Sequence, residues 1–160
     1  MTAANRITLR PLTATEYAAF RARSMQDYAE EMRANVGVTP EAALERARTQ
    51  TDELLPDGQA TPGHHFLGIV RDDQLVGDLW INLRDHLGAL EAFGFDFHVD
   101  PELRDAGVGR RAMQLAADWA RGQGATRLAL NVFGDNARAR HLYESFGFHV
   151  TMTNMAMPLE

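Results

Sequence analysis

The stretch that most constrains this chain runs from Phe93 to Met113, FGFDFHVDPELRDAGVGRRAM. Phe93, Phe95, Phe97 and Val99 alternate with Gly94, Asp96 and His98, the period of a strand with two unlike faces. Asp100-Pro101 stops that strand, because proline cannot donate to a ladder and restricts the residue before it. A short loop, Glu102 to Ala106, leads to Gly107-Val108-Gly109. From there Val108, Ala112, Leu115, Ala116, Trp119 and Ala120 recur at helical spacing. A strand therefore feeds a glycine-containing turn, and the turn opens a helix. The N-terminus of a helix carries unpaired N–H groups and partial positive charge, and can hold a phosphate or pyrophosphate. Two glycines let such a ligand approach the backbone, and Arg104 and Arg110 add positive charge.

The rest of the chain supplies elements to surround this unit. Arg6 to Leu12 reads as a first strand, with Ile7 and Leu9 on one face. Thr13-Ala14-Thr15-Glu16 has capping-box spacing, and Tyr17, Phe20, Ser24, Met25, Tyr28 and Met32 predict a helix to about Ala34. Thr39-Pro40 opens a second helix with inner stripe Leu44, Ala47, Thr51, Leu54 and Leu55. His65 to Val70 and Leu75 to Leu83 form a hairpin around Arg71-Asp72-Asp73-Gln74, and Arg84 to Gly88 is the next turn. Gly122-Gln123-Gly124 ends the long helix, and Leu128 to Phe133 is a further strand. A last helix carries Ala139, Leu142, Tyr143 and Phe146, and a final strand is expected over Phe148 to Pro158. The order β-α-α-β-β-β-α-β-α-β predicts an α/β fold: a mixed, mostly antiparallel central sheet flanked by helices. With 160 residues and no linker or repeat, the expectation is a single domain spanning 1–160.

Composition removes several chemistries. The chain has no cysteine, so disulfides, zinc–thiolate sites and cysteine nucleophiles are out. It also has no lysine, which excludes a Walker-type phosphate lysine and a Schiff base. Serines are limited to Ser24 and Ser145 without a G-x-S-x-G, which argues against a serine hydrolase. The six histidines, including His64, His65, His86, His141 and His149, show no metal-ligand spacing, and no metal is expected. A formal net charge of −6 argues against a nucleic-acid surface and suits a cationic small substrate. No apolar run is long enough to span a membrane and there is no signal-peptide core, so the expected location is cytoplasmic.

Gly107-Val108-Gly109-Arg110-Arg111-Ala112 formally fits the dinucleotide pattern G-x-G-x-x-G/A, but only 25 residues follow Asp135, too few for the rest of such a fold. Two segments fit another pattern. One is Val99-x-Pro101-x-x-Arg104-x-x-Gly107-x-Gly109; the other is Asn131-Val132-x-x-x-Asn136-x-x-Ala139-x-x-Leu142-Tyr143-x-x-x-Gly147-Phe148. Together they closely resemble the GNAT superfamily of acyl-CoA-dependent N-acetyltransferases, over about the last 70 residues by motif and over the front half by element order. The sequence departs from the family at Asp105-Ala106, where a glycine and a basic residue often follow the arginine.

The resemblance implies that Phe97, His98 and Val99 pair through their backbone with the pantetheine arm of acetyl-CoA. It implies that Asp105, Ala106, Gly107, Val108, Gly109 and Arg110, with Arg104, hold the pyrophosphate. Asn136 then contacts the cofactor arm, or is a plain helix N-cap, or both; Tyr143 lies near the thioester sulfur, or is a core residue on its apolar stripe. Asp96, a carboxylate among phenylalanines, is open to three readings: a base, an anchor for the substrate amine, or the partner of an arginine. The expected activity is acetyl transfer from acetyl-CoA to a primary amine, on a small molecule or a peptide, by direct attack in a ternary complex. The alternatives are another acyl-CoA donor, or a non-catalytic acyl-CoA-binding or regulatory module on the same fold. A homodimer is left open.

Overall fold

The computed structural model describes residues 6–104 and 107–159. Nine main elements follow the chain: β1 (Ile7–Pro11), α1 (Ala14–Val36), α2 (Pro40–Leu54), β2 (His64–Arg71), β3 (Gln74–His86), β4 (Ala89–Val99), α3 (Val108–Gly122), β5 (Arg127–Leu130) and α4 (Ala137–Phe146). The five strands lie in sequence order, β1 to β4 antiparallel and β5 parallel to β4. This is the mixed, mostly antiparallel sheet expected from the sequence.

Local chemistry sets the boundaries. Thr13 caps α1 by accepting from the Glu16 amide at 3.2 Å, while Glu16 accepts from the Thr13 amide at 2.9 Å. Glu16 also binds Arg10 of β1 at 2.7 Å, and that arginine first of all pulls its carboxyl down to about 2. Thr39 caps α2, with Pro40 in its first turn. The β2–β3 connection is the two-residue turn Asp72-Asp73, both at positive φ, as a tight hairpin of right-twisted strands requires. The β3–β4 connection is equally short: β3 runs on to His86, and Leu87-Gly88 makes the turn. The leucine hides that turn from a sequence reading, since it rarely takes φ of 53°.

Two apolar layers sandwich the sheet. On one face Leu67, Ile69, Leu79, Ile81 and Ala92 pack under Val108, Ala112, Ala116 and Ala120 of α3. On the other, Phe66 and Trp80 meet Tyr17 and Phe20 of α1, with Leu12 and Leu55. A third cluster, Ala29, Met32, Ala43 and Ala47, joins α1 to α2; these alanines bring the two helices close.

Alternation in β4 departs from expectation. Trp80 pairs with Asp96 but Ile81 pairs with Gly94, so Phe95 is the extra residue of a β-bulge. Phe93 and Phe95 lie against each other at 5.0 Å, and Phe95 stacks on Trp80 at 4.6 Å, on the α1 face. Phe97 and Val99 belong to the α3 face. The four apolar residues therefore do not share one face. Asp96 and His98, opposite Trp80 and Asp78, look toward α1.

β5 is shorter than expected, ending at Leu130, because Phe133 turns away to pack on Tyr28 of α1 at 6.0 Å. The final strand expected over Phe148 to Pro158 is not formed among the described residues. Alternating apolar residues make a strand only where a neighbour accepts its ladder, and among the described residues β5 pairs only with β4. Val150, Met152, Met155, Met157 and Leu159 are instead exposed.

Gly77, opposite Val99, fixes how closely β3 and β4 meet. A Cβ there would strike the His98 carbonyl oxygen and lie 3.0 Å from Ile69 Cδ1. Gly77→Ala is expected to cost about 1–3 kcal/mol in urea unfolding. Gly94→Ala, with its nearest neighbours at 3.8 Å, should be close to neutral in the same measurement.

Candidate active site

β5 accompanies β4 only from Glu91 to Gly94, so beyond Gly94 that edge of β4 has no neighbouring strand among the described residues. The gap opens a cleft of about 920 Å³ between α1, the second half of β4, the start of α3, and α4. The bulge at Phe95 sits where the strands part.

The parallel part of the sheet is held by Glu91, which alternation along the strand places with the phenylalanines unless a bulge intervenes; the bulge falls after it, at Phe95. Glu91 is buried and receives Arg84 at 3.0 Å and Arg127 at 3.3 Å, with His86 at 3.8 Å. It ties three strands together just before the gap. The clue in the sequence was a glutamate inside an apolar strand run.

Most of the expected site residues converge on the cleft: Asp96, Phe97, His98, Val99, Arg104, Gly107, Gly109, Arg110, Asn136 and Tyr143 line it. Val108 does not; its side chain is buried in the α3 layer. Asp105 and Ala106 lie outside the described residues. Gly107 is the N-cap of α3 with φ of 79°, a conformation that favours glycine, and it offers no capping side chain. A Cβ on Gly109 would meet Phe97 and Val99 only at ordinary contact, 3.8 and 3.9 Å, so packing by itself does not demand a glycine there.

The two arginines are anchored rather than loose. Arg104 Nε donates to the Val99 carbonyl at 3.1 Å. Arg110 donates to Ser145 Oγ at 3.1 Å and lies over the Phe146 ring at 4.9 Å, tying α3 to α4. Asn136 is the N-cap of α4, accepting from the Ala139 amide at 3.1 Å, and it also faces the cleft. Tyr143 packs between Phe97 at 6.4 Å and Phe148 at 5.6 Å. Burial first, then the charges of Asp96 and Glu31, push its phenol up to about 12. It is thus both packed and in the cleft, and it stays protonated at any physiological pH.

Asp96 has a cationic partner. Arg23 of α1 reaches Asp78 at 2.6 Å, Asp27 at 2.8 Å and Asp96 at 3.4 Å. One guanidinium thus serves three carboxylates. Burial wins over this pairing at Asp78, whose carboxyl rises to about 7. Burial, with Arg23 nearby, lowers the His98 imidazole, which is therefore neutral at pH 7. The sequence reading missed Arg23, although Arg23, Asp27 and Glu31 stand four residues apart on one helical face. Among the described residues there is no group of three His, Cys, Asp or Glu side chains able to hold a metal ion. No helix among them is long and apolar enough to cross a membrane.

A parting pair of strands, a glycine-started helix beside it and a tyrosine across the gap are the arrangement that the GNAT resemblance of the sequence leads one to expect on this mixed sheet. Comparison with known proteins gives the same answer. The model of the acetyltransferase (GNAT) family matches residues 23–148. The uncharacterised N-acetyltransferase YycN of Bacillus subtilis is 34% identical over 155 residues, covering 96% of this chain and 99% of that protein. Its crystal structure superposes with a TM-score of 0.91 over 97% of this chain and 99% of that one. The uncharacterised N-acetyltransferase YdgE, also of Bacillus subtilis, is 32% identical over 94% of this chain and 95% of its own length. The N-alpha-acetyltransferase RimI of Mycobacterium tuberculosis is 36% identical over a shorter match, 56% of this chain and 54% of that protein. The chain belongs to the GNAT acetyltransferase family and is an acyltransferase enzyme.

Arg23 allows a test of the electrostatics. Arg23→Met keeps an apolar stem and strands Asp78 and Asp96. Since the Asp78 carboxyl is already raised to about 7 when folded and is near 4 when unfolded, the folded state binds the extra proton. Stability of the variant should therefore fall as pH rises from about 4 through 7 and beyond. At pH 8 the loss is expected to reach at most about 3–5 kcal/mol, much of it recovered at pH 5. Chemical denaturation at the two pH values reads the difference.

Proposed function

We propose that this enzyme transfers an acetyl group from acetyl-CoA to a primary amine, by direct attack of the amine in a ternary complex. The observation that carries the reading is the strand edge of β4 left open beyond Gly94, continuous with the uncapped glycine start of α3. In this reading the free backbone of Phe97, His98 and Val99 takes the pantetheine arm as an added strand would. The amides at Gly107, Val108 and Gly109 take the pyrophosphate, supported by the N-terminal partial charge of α3, with Arg104 and Arg110 adding positive charge. Asp105 and Ala106 complete that loop by resemblance to the family. Acetyl-CoA, when bound, supplies an activated acyl thioester.

The chain's own groups would do the rest. The absence of cysteine favours direct attack over an acyl-enzyme. Tyr143, held against Phe97, would face the leaving sulfur, and Asn136 the cofactor arm. With the phenol at about 12, complete transfer of its proton to a thiolate of pKa about 8.5 is uphill by about 5 kcal/mol. Tyr143 is therefore better suited to donating a hydrogen bond to the developing charge than to acting as a full acid. Asp96, fastened with Asp78 to Arg23, would shape the negative wall that the substrate ammonium meets. The acceptor is a small-molecule or peptide amine; the partial relative RimI is named an N-alpha-acetyltransferase. We read the chain as one domain working in the cytoplasm, with neither nucleic acid nor membrane as partner.

Two substitutions test the two halves of the cleft. Gly109→Glu puts a side chain and a negative charge at the start of α3, and should abolish acetyl-CoA binding in calorimetry while the protein remains folded. Undiminished binding would place the pyrophosphate elsewhere. Tyr143→Phe keeps the ring and removes the hydroxyl; kcat should fall about 10²-fold with little change in acetyl-CoA affinity. Full kcat, with chemistry rate-limiting, would return Tyr143 to the core. A panel of primary amines, read by acetyl-CoA-dependent release of CoA, identifies the acceptor and separates transfer from mere acyl-CoA binding.

A further inference from the structure

The wall of the cleft facing α4 is α1, and Glu31 is in the row of side chains that it turns inward. Arg23, two turns earlier, is occupied by Asp27, Asp78 and Asp96. Glu31 has no cation within ion-pair distance among the described residues, and the charges acting on it are all negative: Asp96 of β4, Asp27 of α1 and Asp135 of the loop before α4. From α4, Tyr143, Arg138 and His141 line the same cleft; from β4, so does His98. This turn of α1 is also fixed in place. Asn35 donates to the Glu31 carbonyl and to the Asp135 carboxylate, each at 2.8 Å. Glu31 and Tyr143 are close enough for the charge of one to raise the phenol of the other.

We propose that Glu31 is the base that takes the proton from the acceptor's ammonium, so that α1 rather than β4 supplies this catalytic residue. The proposal rests on the acetyl-transfer reading above. Burial, then Asp96, Asp27 and Asp135, raise the Glu31 carboxyl to about 7. Its affinity for a proton is then about 300-fold that of an ordinary glutamate, while about half of it remains ionised at neutral pH. Asp78 is raised as far, but it lies under Arg23 and does not line the cleft. Asp96 lines the cleft but is bound to the guanidinium.

The proton balance closes. The ammonium gives one proton to the Glu31 carboxylate and becomes a neutral amine. The amine lone pair forms the C–N bond as the carbonyl π pair moves to oxygen. When that pair returns, the C–S bond breaks and the CoA thiolate leaves, hydrogen-bonded by Tyr143. The proton still on nitrogen passes to the thiolate, giving the amide and the thiol, and Glu31 releases its proton to water through the open cleft.

The test uses the full chain, acetyl-CoA and the amine that the panel shows to be accepted fastest. If the parent protein releases no CoA with any amine, the acetyl-transfer reading falls and this proposal falls with it. With an active parent, Glu31→Gln should lower kcat at pH 7 by about 10²-fold or more, with the Kd for acetyl-CoA within about twofold. The deficit should shrink as pH approaches the pKa of the amine, where free amine needs no base. The acidic limb of the parent kcat/KM profile, expected near pH 7, should vanish in the variant. A raised KM with unchanged kcat, or an unchanged acidic limb, would overturn the proposal. Asp27→Asn gives a second reading that leaves Glu31 in place: removing one neighbouring charge should move the limb to lower pH, and a limb that stays put would also overturn it.

Discussion

The site depends on one extra residue in one strand. Phe95 has no partner in β3, and the bulge it makes turns β4 over. Before it, Ala92 faces α3 and Phe93 faces α1; after it, Phe97 and Val99 belong to the α3 side. Without that reversal the even-numbered residues would keep to the α3 side, and Asp96 could not meet Arg23 of α1. The bulge also lies where β5 stops following β4. Bulges increase local twist and terminate pairing, so the same residue that re-aims the acid also helps to open the cleft. Stacking of Phe95 on Trp80 at 4.6 Å holds it there.

Charge is distributed by the same geometry. The sheet face toward α1 carries Asp78 and Asp96, and α1 carries Asp27 and Glu31, yet Arg23 is the cation that bridges the first three. Negative charge therefore exceeds positive on this wall, which suits a cationic acceptor. The wall toward α3 is different in kind: a helix N-terminus with glycine and no capping carboxylate, and two arginines tied back by Val99 and Ser145. Each end of one cleft thus has the sign that its proposed ligand needs.

Much of this was legible in the sequence, for identifiable reasons. The capping box at Thr13, Pro40 after Thr39, and the helical spacing from Val108 to Ala120 are local signals, and local signals survive in any tertiary context. The strand–turn–helix unit and the Asn136 to Phe148 segment placed the cleft because both motifs are contiguous in the chain. What was hidden is what depends on a partner far away in sequence. The bulge arises from pairing with β3, and strict alternation in FGFDFHV conceals it. The missing last strand has the pattern of a strand but no neighbour to pair with. Arg23 and Glu31 carry no signal in the sequence by themselves; they become part of a cleft only once β4 and α4 are set against them.

The segment after α4 has a chemical consequence of its own. Sulfur in this chain is thioether only, since it has no cysteine. Met152, Met155 and Met157 are 85%, 87% and 77% exposed, whereas Met32 and Met113 are 4% and 5% exposed in the packed layers. Oxidants reach the exposed thioethers first, and a sulfoxide there adds a polar oxygen where no apolar contact is lost. The same lesion at Met113 would put a polar oxygen on a buried side chain of α3. Mild oxidative stress should therefore mark the end of this chain chemically while leaving the sheet and its cleft unaltered.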